Sequence, residues 1–169
     1  MADHQLSLAL QKTEMVMISC MRIGHPRVPV RIRDSILRSQ RHIRYLGVQL
    51  EDHLSWNFHV KAVTEKAARI NRALGYLLKN HGGPSSVRRR TLASVSSSIL
   101  RYAAPVWWQA TNLQGNRRRL NRVHNRSAKM VASTFRTVRY DVATVVAGLP
   151  PIVELIREDH RCHERRQTT

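Results

Sequence analysis

The stretch IRYLGVQLEDHLSWNFHVKAVTEKAARINRALGYLL, Ile43 to Leu78, decides how the chain folds. Its pattern changes midway from that of a strand to the 3.6-residue period of a helix. Tyr45-Leu46-Gly47-Val48 with Leu50 predicts a strand, in which Gly47 lets another backbone or a ligand approach closely. Beyond it, apolar residues recur in steps of four and three and predict one long amphipathic helix with a stripe facing a core: Trp56, Val60, Val63, Ala67, Ile70, Leu74 and Leu77.

Shorter strands are predicted before this stretch. Glu14 to Cys20 alternates apolar and polar residues, and Val28, Val30 and Ile32 sit two apart. Pro29 places the second of these strands at an edge. Residues 6–11 are expected to be the end of a helix. We therefore expect a small antiparallel sheet of three or four short strands, followed by turn and N-cap chemistry from Asp52 and Ser55.

Helical patterns fill most of the remaining chain. Residues 80–84, NHGGP, should stop the long helix, and Pro105 should end the next one near Tyr102. That second helix, capped by Ser85 or Ser86, is predicted from Val87, Thr91, Val95, Ile99, Tyr102 and Val106. A third helix, capped at Thr111-Asn112, is predicted from Leu113, Leu120, Val123, Ser127 and Met130. A short helix from Asp141 to Gly148 and a last one after Pro150-Pro151 complete the pattern.

These elements predict an α+β fold that is mostly α. Residues 1–52 would form the small N-terminal sheet and residues 53–158 an α-helical bundle. Residues 159–169 carry no periodic apolar signal and are expected to be a disordered tail.

The chain is strongly basic. Among its 169 residues, 29 Lys and Arg oppose 11 Asp and Glu, which gives a net charge of +18. Because such a surface attracts polyanions, nucleic acid is the leading partner, and an anionic membrane surface is the alternative.

Membrane insertion and secretion are not indicated. No uninterrupted apolar run approaches the about 20 residues that a membrane span requires. The N-terminus lacks the basic and apolar regions of a signal peptide. Cys20 and Cys162 do not indicate a disulfide scaffold, so a reducing nuclear or cytoplasmic location is expected.

No metal site is predicted from the residues. His160, Cys162 and His163 lie close together, but no second cluster completes the four ligands of a structural zinc site. The acidic pairs Glu51-Asp52 and Glu158-Asp159 are expected to be helix caps or solvated surface charge.

Several segments, taken in order, carry a family resemblance. They are Leu10–Glu14, the YLGV strand with its acidic turn and the helix starting near Trp56-x-x-His59, His81–Ser86, Ser98–Trp107, Phe135–Val138 and Ala147–Pro151. Together they resemble the C-terminal, late-palm and thumb, part of non-LTR retrotransposon reverse transcriptases of the insect jockey-like and rDNA-targeting kinds. The match runs from about Leu8 to about Glu158. Arg101 and Ala103 depart from the family pattern, which has an apolar residue and a glycine there.

The resemblance implies an RNA-directed DNA polymerase whose paired aspartates hold Mg²⁺. That pair is expected upstream of Lys12, where this chain has only Asp3, and no Asp-Asp pair occurs anywhere. Lys12 matches the family lysine that assists the incoming nucleotide, with a surface lysine as the alternative. The chain alone is expected to bind no cofactor and to be inactive, with the upstream palm and fingers of the same polyprotein as its missing partners.

The resemblance also implies that the YLGV segment is the primer grip, which holds the 3′ end of the growing strand. Tyr45 and Gly47 would contact it, and Gly47 is the better candidate because close approach to a sugar-phosphate needs a missing side chain. The alternative is an apolar strand of the core, and this is what we expect for Leu46 and Val48.

Two cationic clusters are candidates for contact with RNA and DNA. Arg118, Arg122, Arg126 and Lys129 follow helical steps of four and three, on the side opposite the apolar residues of the third helix. Arg88, Arg89 and Arg90 lie in the first turn of the second helix, near backbone N–H groups that favour anions. Such groups fit phosphates and read no sequence. The alternative is a solvated charged face.

The sequence therefore predicts a fragment of a retrotransposon reverse transcriptase that binds template-primer through a basic thumb without catalysing synthesis. One alternative is a stand-alone or domesticated non-catalytic helical protein that binds nucleic acid. Another is a non-functional pseudogene product. Trp107-Trp108, which could stack on bases, is more typical of a core.

Overall fold

The computed structural model describes residues 12–19, 28–32, 35–78 and 83–168. The chain divides into two compact units, Met1–Ser55 and Trp56–Thr169. Strands occupy the first unit and helices the second. The predicted fold class, α+β and mostly α, is confirmed.

The first unit contains two antiparallel hairpins. Strand β1 (Pro29–Ile32) pairs with β2 (Ser35–Arg38), and β3 (His42–Tyr45) pairs with β4 (Val48–Glu51). They form two separate two-stranded sheets, so the prediction of a single sheet is wrong for the described residues. Ser39 lies between β2 and β3 and belongs to neither sheet. Its N–H donates to the Val28 carbonyl, and its hydroxyl oxygen accepts from the Val28 N–H.

The segment from Glu14 to Ser19 makes isolated contacts with residues 40–53 rather than a strand pairing. Val16 forms one isolated parallel bridge with Gln40, and the Ser19 N–H donates to the Asp52 carbonyl over 3.0 Å. The strand predicted for Glu14–Cys20 is therefore wrong over its described part. Cys20 and the helix predicted for residues 6–11 lie outside the described residues.

The YLGV segment is a hairpin turn, not a continuous strand. Tyr45 pairs with Val48, while Leu46 and Gly47 between them have φ angles of 46° and 81°. Positive φ at both central residues is typical of a type I′ turn, whose twist suits the flanking strands. Gly47 adopts this backbone freely, whereas a side chain such as that of Leu46 costs about 1–2 kcal/mol there.

Helix α1 (Asn57–Leu77) is the predicted long helix. Val60, Val63, Ala67 and Leu74 of the predicted stripe are buried, but Leu77 is exposed. The prediction that Ser55 caps this helix is wrong. The residue before the helix is Trp56, in a left-handed conformation with no side-chain cap, and the Ser55 hydroxyl instead donates to the Glu51 carboxylate.

The remaining helices are α2 (Ser86–Arg101), α3 (Ala104–Trp107), α4 (Gln114–Ala132), α5 (Tyr140–Ala147) and α6 (Ile152–Gln167), with a 3-10 turn at Trp108–Asn112. The stop expected from Pro105 is confirmed, since α2 ends at Arg101. Gly148 ends α5 with a φ of 62°, also as predicted. The cap predicted at Thr111-Asn112 is wrong, because Leu113 precedes α4 and the Thr111 hydroxyl donates to the Trp108 carbonyl.

The expected disordered tail is wrong for residues 159–167, which continue α6. Side-chain pairs along the helix replace the missing apolar signal. Arg161 pairs with Glu158, and His160 Nε2 lies 3.2 Å from the Glu164 carboxylate. Asp159 also anchors the helix by accepting two hydrogen bonds from the Arg101 guanidinium. Periodicity of apolar residues does not detect a helix held in this way.

Helix α4 lies at the centre of the second unit and contacts α1, α2, α5 and α6. One apolar cluster joins Val60, Leu100, Trp107, Leu120 and Ile156. Trp107 is fully buried and its indole N–H donates to the Tyr102 carbonyl over 2.8 Å, so the prediction that it belongs to the core is confirmed. A second cluster joins α2, α4 and α5 through small residues: Ala93, Ala128, Val131, Ala143 and Ala147.

The valines of α2 and α5 mostly face solvent. Val87 and Val95 of the α2 pattern are exposed, and the buried face of α2 instead carries Arg89, Ala93, Ser96 and Leu100. On α5, Val142, Val145 and Val146 are exposed while Ala143, Thr144 and Ala147 are buried. The reason is close packing: small side chains allow α2 and α5 to approach α4, and the larger valines point away.

Two histidines are buried in the helical unit. His59 packs against Trp107 with ring centroids 5.4 Å apart, and burial lowers its pKa to about 4, an effect partly offset by the Tyr102 backbone. His124 Nδ1 lies 3.1 Å from the Tyr140 hydroxyl, which itself accepts from the Ile152 N–H. Burial lowers the His124 pKa to about 4 as well. Both rings are therefore neutral in the fold near pH 7.

These histidines predict a loss of stability in acid. Their pKa values in the fold lie below the ordinary 6.5, so protonation favours the unfolded chain. Their contribution is complete above about pH 6.5 and is lost as the pH falls towards 4. At pH 4.5 each should have cost roughly 2 kcal/mol of unfolding free energy. Urea denaturation of the wild-type chain and of His124→Gln at pH 7 and 4.5 checks this, because the variant should show a smaller difference between the two pH values. An identical difference in His124→Gln would contradict the assignment.

Candidate nucleic-acid interface

The predicted basic ridge lies along one exposed face of α4. Arg118, Arg122 and Arg126 are exposed and follow one another at steps of four residues, which places them on one side of the helix. The buried residues Asn116, Leu120, His124, Ser127 and Val131 occupy the opposite side. Lys129 is half-buried and its ammonium donates to the Arg136 carbonyl over 2.6 Å. The ridge in solvent is therefore formed chiefly by the three arginines.

The ridge borders a groove between α1 and α4. The groove has a volume of about 250 Å³ and is lined by Lys61, Thr64, Glu65, Ala68, Arg119, Arg122 and Val123. Three cationic groups and one carboxylate thus share it. Sequence reasoning missed Lys61 and Arg119, because only the packing of α1 beside α4 brings them together.

A simple sequence signal could have indicated this surface. From Lys66 to Tyr140 the chain contains no Asp or Glu, although Lys and Arg recur throughout. The acidic residues of the helical unit lie at its edges in sequence, at Glu65 and from Asp141 onward. Much of α1, all of α2 and all of α4 therefore carry cations without an acidic neighbour in sequence, which favours a polyanionic partner.

The arginine triplet does not form a single anion-binding cluster, because Arg89 is buried while Arg88 and Arg90 are exposed, which corrects the prediction for Arg89. Arg89 is buried and donates to three backbone carbonyls: those of Pro84 at 2.9 Å, Met130 at 3.1 Å and Leu78 at 3.5 Å. Its charge thus neutralises carbonyl groups at the C-terminal ends of α1 and α4, where a cation is favourable. A buried guanidinium committed to carbonyls cannot contact phosphate.

Arg90 caps the C-terminal end of α5. Its guanidinium donates to the Ala147 carbonyl over 3.0 Å and lies over Gly148, where an added Cβ would be 2.7 Å from Arg90 Nη2. Gly148 thus provides both the left-handed turn and the space that Arg90 occupies. Arg88 and Arg90 are both exposed, and Arg88, for which no such helix-capping bond is seen among the described residues, is the better candidate for contact with phosphate.

The candidate site residues of the first unit, which are Tyr45 and Gly47 of the predicted primer grip and Lys12, are exposed. Tyr45 and Gly47 lie at the tip of the hairpin, with Tyr45 60% exposed, so the alternative of a core strand is wrong for them. The core position expected for Val48 is confirmed because Val48 is buried, whereas the one expected for Leu46 is wrong because Leu46 lies in the turn and is 75% exposed. Lys12 is also exposed.

The acidic pairs are not available as metal ligands. Glu51 is buried and accepts a hydrogen bond from Ser55, and Asp159 is held by Arg101, which corrects the prediction of solvated charge for these two residues. Glu158 is exposed, as predicted, and pairs with Arg161. The Arg101–Asp159 ion pair raises the pKa of Arg101, chiefly through the hydrogen bond. Within the described residues there is no group of three or more His, Cys, Asp or Glu that could hold a metal ion. These residues do not fit the Mg²⁺ that the resemblance implies.

The histidines and cysteine of α6 have separate surroundings. His160 stacks on Trp108 with ring centroids 4.3 Å apart, and the thiol of the exposed Cys162 lies 3.6 Å from the Glu158 carboxylate. A cleft of about 430 Å³ runs beside them, lined by Ser98, Arg101, Pro105, Asp159, Cys162, His163 and Arg166. Trp108 is half-buried under His160, which leaves little of its face for a base.

The comparisons with known proteins support a retrotransposon origin for the chain. It is 26% identical over 113 residues to the "Putative 115 kDa protein in type-1 retrotransposable element R1DM" of Drosophila melanogaster. The aligned region covers 66% of this chain and 11% of the relative, so the chain spans only a small part of that protein. No family model matches the chain, and no solved structure matches it.

The helices of the described residues do not have membrane-spanning character. None of them combines the length and apolar character that crossing a bilayer requires.

The structural role of Arg89 gives a prediction that separates it from Arg88. Arg89→Met keeps the apolar stem but leaves three carbonyls without their charged donor, so the free energy of unfolding should fall by about 2–4 kcal/mol. Arg88→Met changes an exposed side chain and should alter it by less than about 0.5 kcal/mol. Chemical denaturation measures both. Equal small effects would show that the Arg89 guanidinium does not hold the helix ends together.

Proposed function

We propose that this chain is the late-palm and thumb part of a retrotransposon reverse transcriptase, and that its helical unit binds template-primer through phosphate contacts. The observation that carries the proposal is the exposed ridge of Arg118, Arg122 and Arg126 on α4 beside the cationic groove. The similarity to a retrotransposable-element protein and the net charge of +18 support it.

The ridge suits a backbone ligand. Three guanidinium groups repeat at one-turn intervals, and a helix rises about 5.4 Å per turn, close to the spacing of successive phosphates. A guanidinium group can donate two parallel hydrogen bonds to a phosphate, so the contact is directional as well as electrostatic. Lys61 and Arg119 extend the cationic surface across the groove to α1. Contacts of this kind hold a duplex in register and do not read its sequence.

The first unit would act as the primer grip in this proposal. The tip at Leu46-Gly47 presents a compact backbone that a sugar-phosphate can approach, with Tyr45 beside it. The described residues of this unit bury few apolar side chains, so it would gain from packing against the upstream palm and fingers of the same polyprotein. The catalytic aspartates and their Mg²⁺ would belong to those missing parts. Lys12 would contribute to the reaction only beside them.

A second candidate is a stand-alone, non-catalytic protein that binds nucleic acid. The helical unit favours it, because α1, α2, α4 and α6 enclose their own apolar core around Trp107 and Leu120. Such a unit could bind phosphates without any polymerase partner. A non-functional product would not be expected to unfold cooperatively, so a cooperative denaturant transition argues against that alternative.

If the ridge binds the duplex, removing its charges should weaken binding of a template-primer duplex more than removing the same charge elsewhere. Replacing Arg118, Arg122 and Arg126 by Gln should weaken binding and lower the slope of log affinity against log salt by about 0.9 for each phosphate that is no longer neutralised. The matched control replaces Arg157, Arg161 and Arg165 of α6 by Gln, which removes the same charge from another helix. Fluorescence anisotropy with a labelled RNA–DNA duplex, between about 50 and 200 mM salt, measures both. Equal reductions of affinity in the two variants would mean that only net charge matters.

The absence of an Asp-Asp pair from the sequence predicts no polymerase activity for the isolated chain. A primer-extension assay with Mg²⁺, an RNA template and a DNA primer should show no template-dependent incorporation above a no-protein control. Incorporation that scales with the concentration of the purified chain would contradict the proposal and require carboxylates that the resemblance does not assign.

A further inference from the structure

The two most exposed aromatic side chains among the described residues lie at one end of the helical unit. Phe135, just after α4, is 82% exposed, and Tyr76, in the last turn of α1, is 81% exposed. Arg89 ties these helix ends together, because the same Nη1 atom donates to the carbonyls of Leu78 and Met130. The two aromatic residues therefore lie at neighbouring C-terminal ends of α1 and α4. We refer to Phe135 and Tyr76 as the aromatic pair.

Phe135 is held on an ordered turn. The Lys129 ammonium donates to the Arg136 carbonyl over 2.6 Å, and the Thr134 N–H donates to the Lys129 carbonyl over 3.2 Å. The Phe135 carbonyl accepts from the Val138 N–H. The backbone on both sides of Phe135 is thus fixed while its ring stays in water. An exposed ring on a fixed backbone gives up little conformational entropy when it binds a partner.

The surroundings of the aromatic pair are cationic. Arg72 lies one turn before Tyr76 on α1, Arg136 follows Phe135, and Arg88 lies in the first turn of α2 next to Arg89; all three are exposed. No Asp or Glu occurs in the sequence from Lys66 to Tyr140. The first carboxylate after Phe135, that of Asp141, lies 3.8 Å from Arg139. Aromatic rings among cations without carboxylates complement a ligand that has both flat bases and phosphates.

We propose that the aromatic pair is a stacking site for unpaired bases of single-stranded nucleic acid, with Arg72, Arg88 and Arg136 contacting its phosphates. This rests on the proposed function, since it assumes that the chain binds nucleic acid. It adds a second surface, distinct in chemistry from the α4 ridge. The ridge binds phosphates of a duplex, whereas stacking requires bases that are free of their partners. The site therefore holds the single strand that continues from a duplex held on the ridge.

Binding of a single strand and its abasic counterpart tests the proposal. The probes are a labelled oligouridylate of about 12 nucleotides and an abasic oligomer with the same number of phosphates. Phe135→Ala should weaken binding of the oligouridylate at least about fivefold and leave binding of the abasic oligomer unchanged. Phe135→Trp should restore the affinity. Tyr76→Ala should act in the same direction as Phe135→Ala.

The chain provides a matched control for removal of a ring. Phe58, the other phenylalanine, is also exposed but lies in the first turn of α1, at the opposite end of that helix from Tyr76. Phe58→Ala should leave both affinities unchanged. Equal reductions of affinity in Phe58→Ala and Phe135→Ala would overturn the assignment to this end of the unit.

The remaining outcomes separate this proposal from the proposed function. If Phe135→Ala binds the oligouridylate like the wild-type chain while the α4 variant still binds duplex more weakly, the stacking site is refuted and the ridge stands. An equal effect on the abasic oligomer would assign Phe135 a structural role and refute stacking. A change in sedimentation behaviour without a change in oligonucleotide binding would refute stacking and identify a self-association surface instead. If neither single-stranded probe binds while the RNA–DNA duplex still does, the stacking site is refuted and the ridge stands. If the duplex does not bind either, both proposals fail.

Discussion

The helical unit depends on the close packing of α1, α2 and α4 through small and polar side chains. Asn71 on α1 donates to the Val123 carbonyl of α4 over 3.1 Å and accepts from the Ser127 hydroxyl. Ser127 in turn lies 3.4 Å from Ser96 of α2, and all three side chains are buried. Because small residues let the helices come close, this layer needs its hydrogen bonds to be complete. It also fixes the rotation of α4, which directs Arg118, Arg122 and Arg126 to solvent.

A strongly basic chain must separate cations that build the fold from cations that face a partner. Arg89, Arg90 and Arg101 belong to the first kind, because two of them neutralise carbonyls at helix ends and the third pairs with Asp159. The Arg101 pair also explains a departure from the family pattern. A charged residue is accommodated there because α6 presents Asp159 opposite it, and the bidentate ion pair fastens α6 to α2. The guanidinium of Arg89, which is buried against carbonyls, cannot contribute to a nucleic-acid surface, whereas Arg90 and Arg101 keep part of their side chains in solvent.

The sequence predicts the elements whose cause is local. The stripe of α1, the stop imposed by Pro105 and the left-handed end at Gly148 depend on neighbouring residues, and all three are confirmed. The errors arise where tertiary contacts decide. The valines of α2 have helical spacing but face solvent, since Ala93 and Ser96 pack on α4 in their place. The helix over residues 159–167 escapes prediction because ion pairs, not apolar contacts, hold it. The sequence could not show which of the three adjacent arginines is structural, because the partners of Arg89 and Arg90 are 5 to 57 residues away.

The distribution of charge links the stability of the fold to the polyanion that we propose as its partner. Most carboxylates of the helical unit lie on α6, where Glu154 pairs with Arg157, Glu158 with Arg161 and Asp159 with Arg101, and where Glu164 lies beside His160. The helices α1, α2 and α4 have almost no such compensation, so their cations repel one another in the folded state. A ligand that binds only the folded chain stabilises it in proportion to its binding. A polyanion bound as proposed would relieve the repulsion that the bundle creates by concentrating arginines, so the charges that weaken the isolated fold would strengthen the complex. Such coupling would explain why a fold of this size retains an excess of cations on one group of helices.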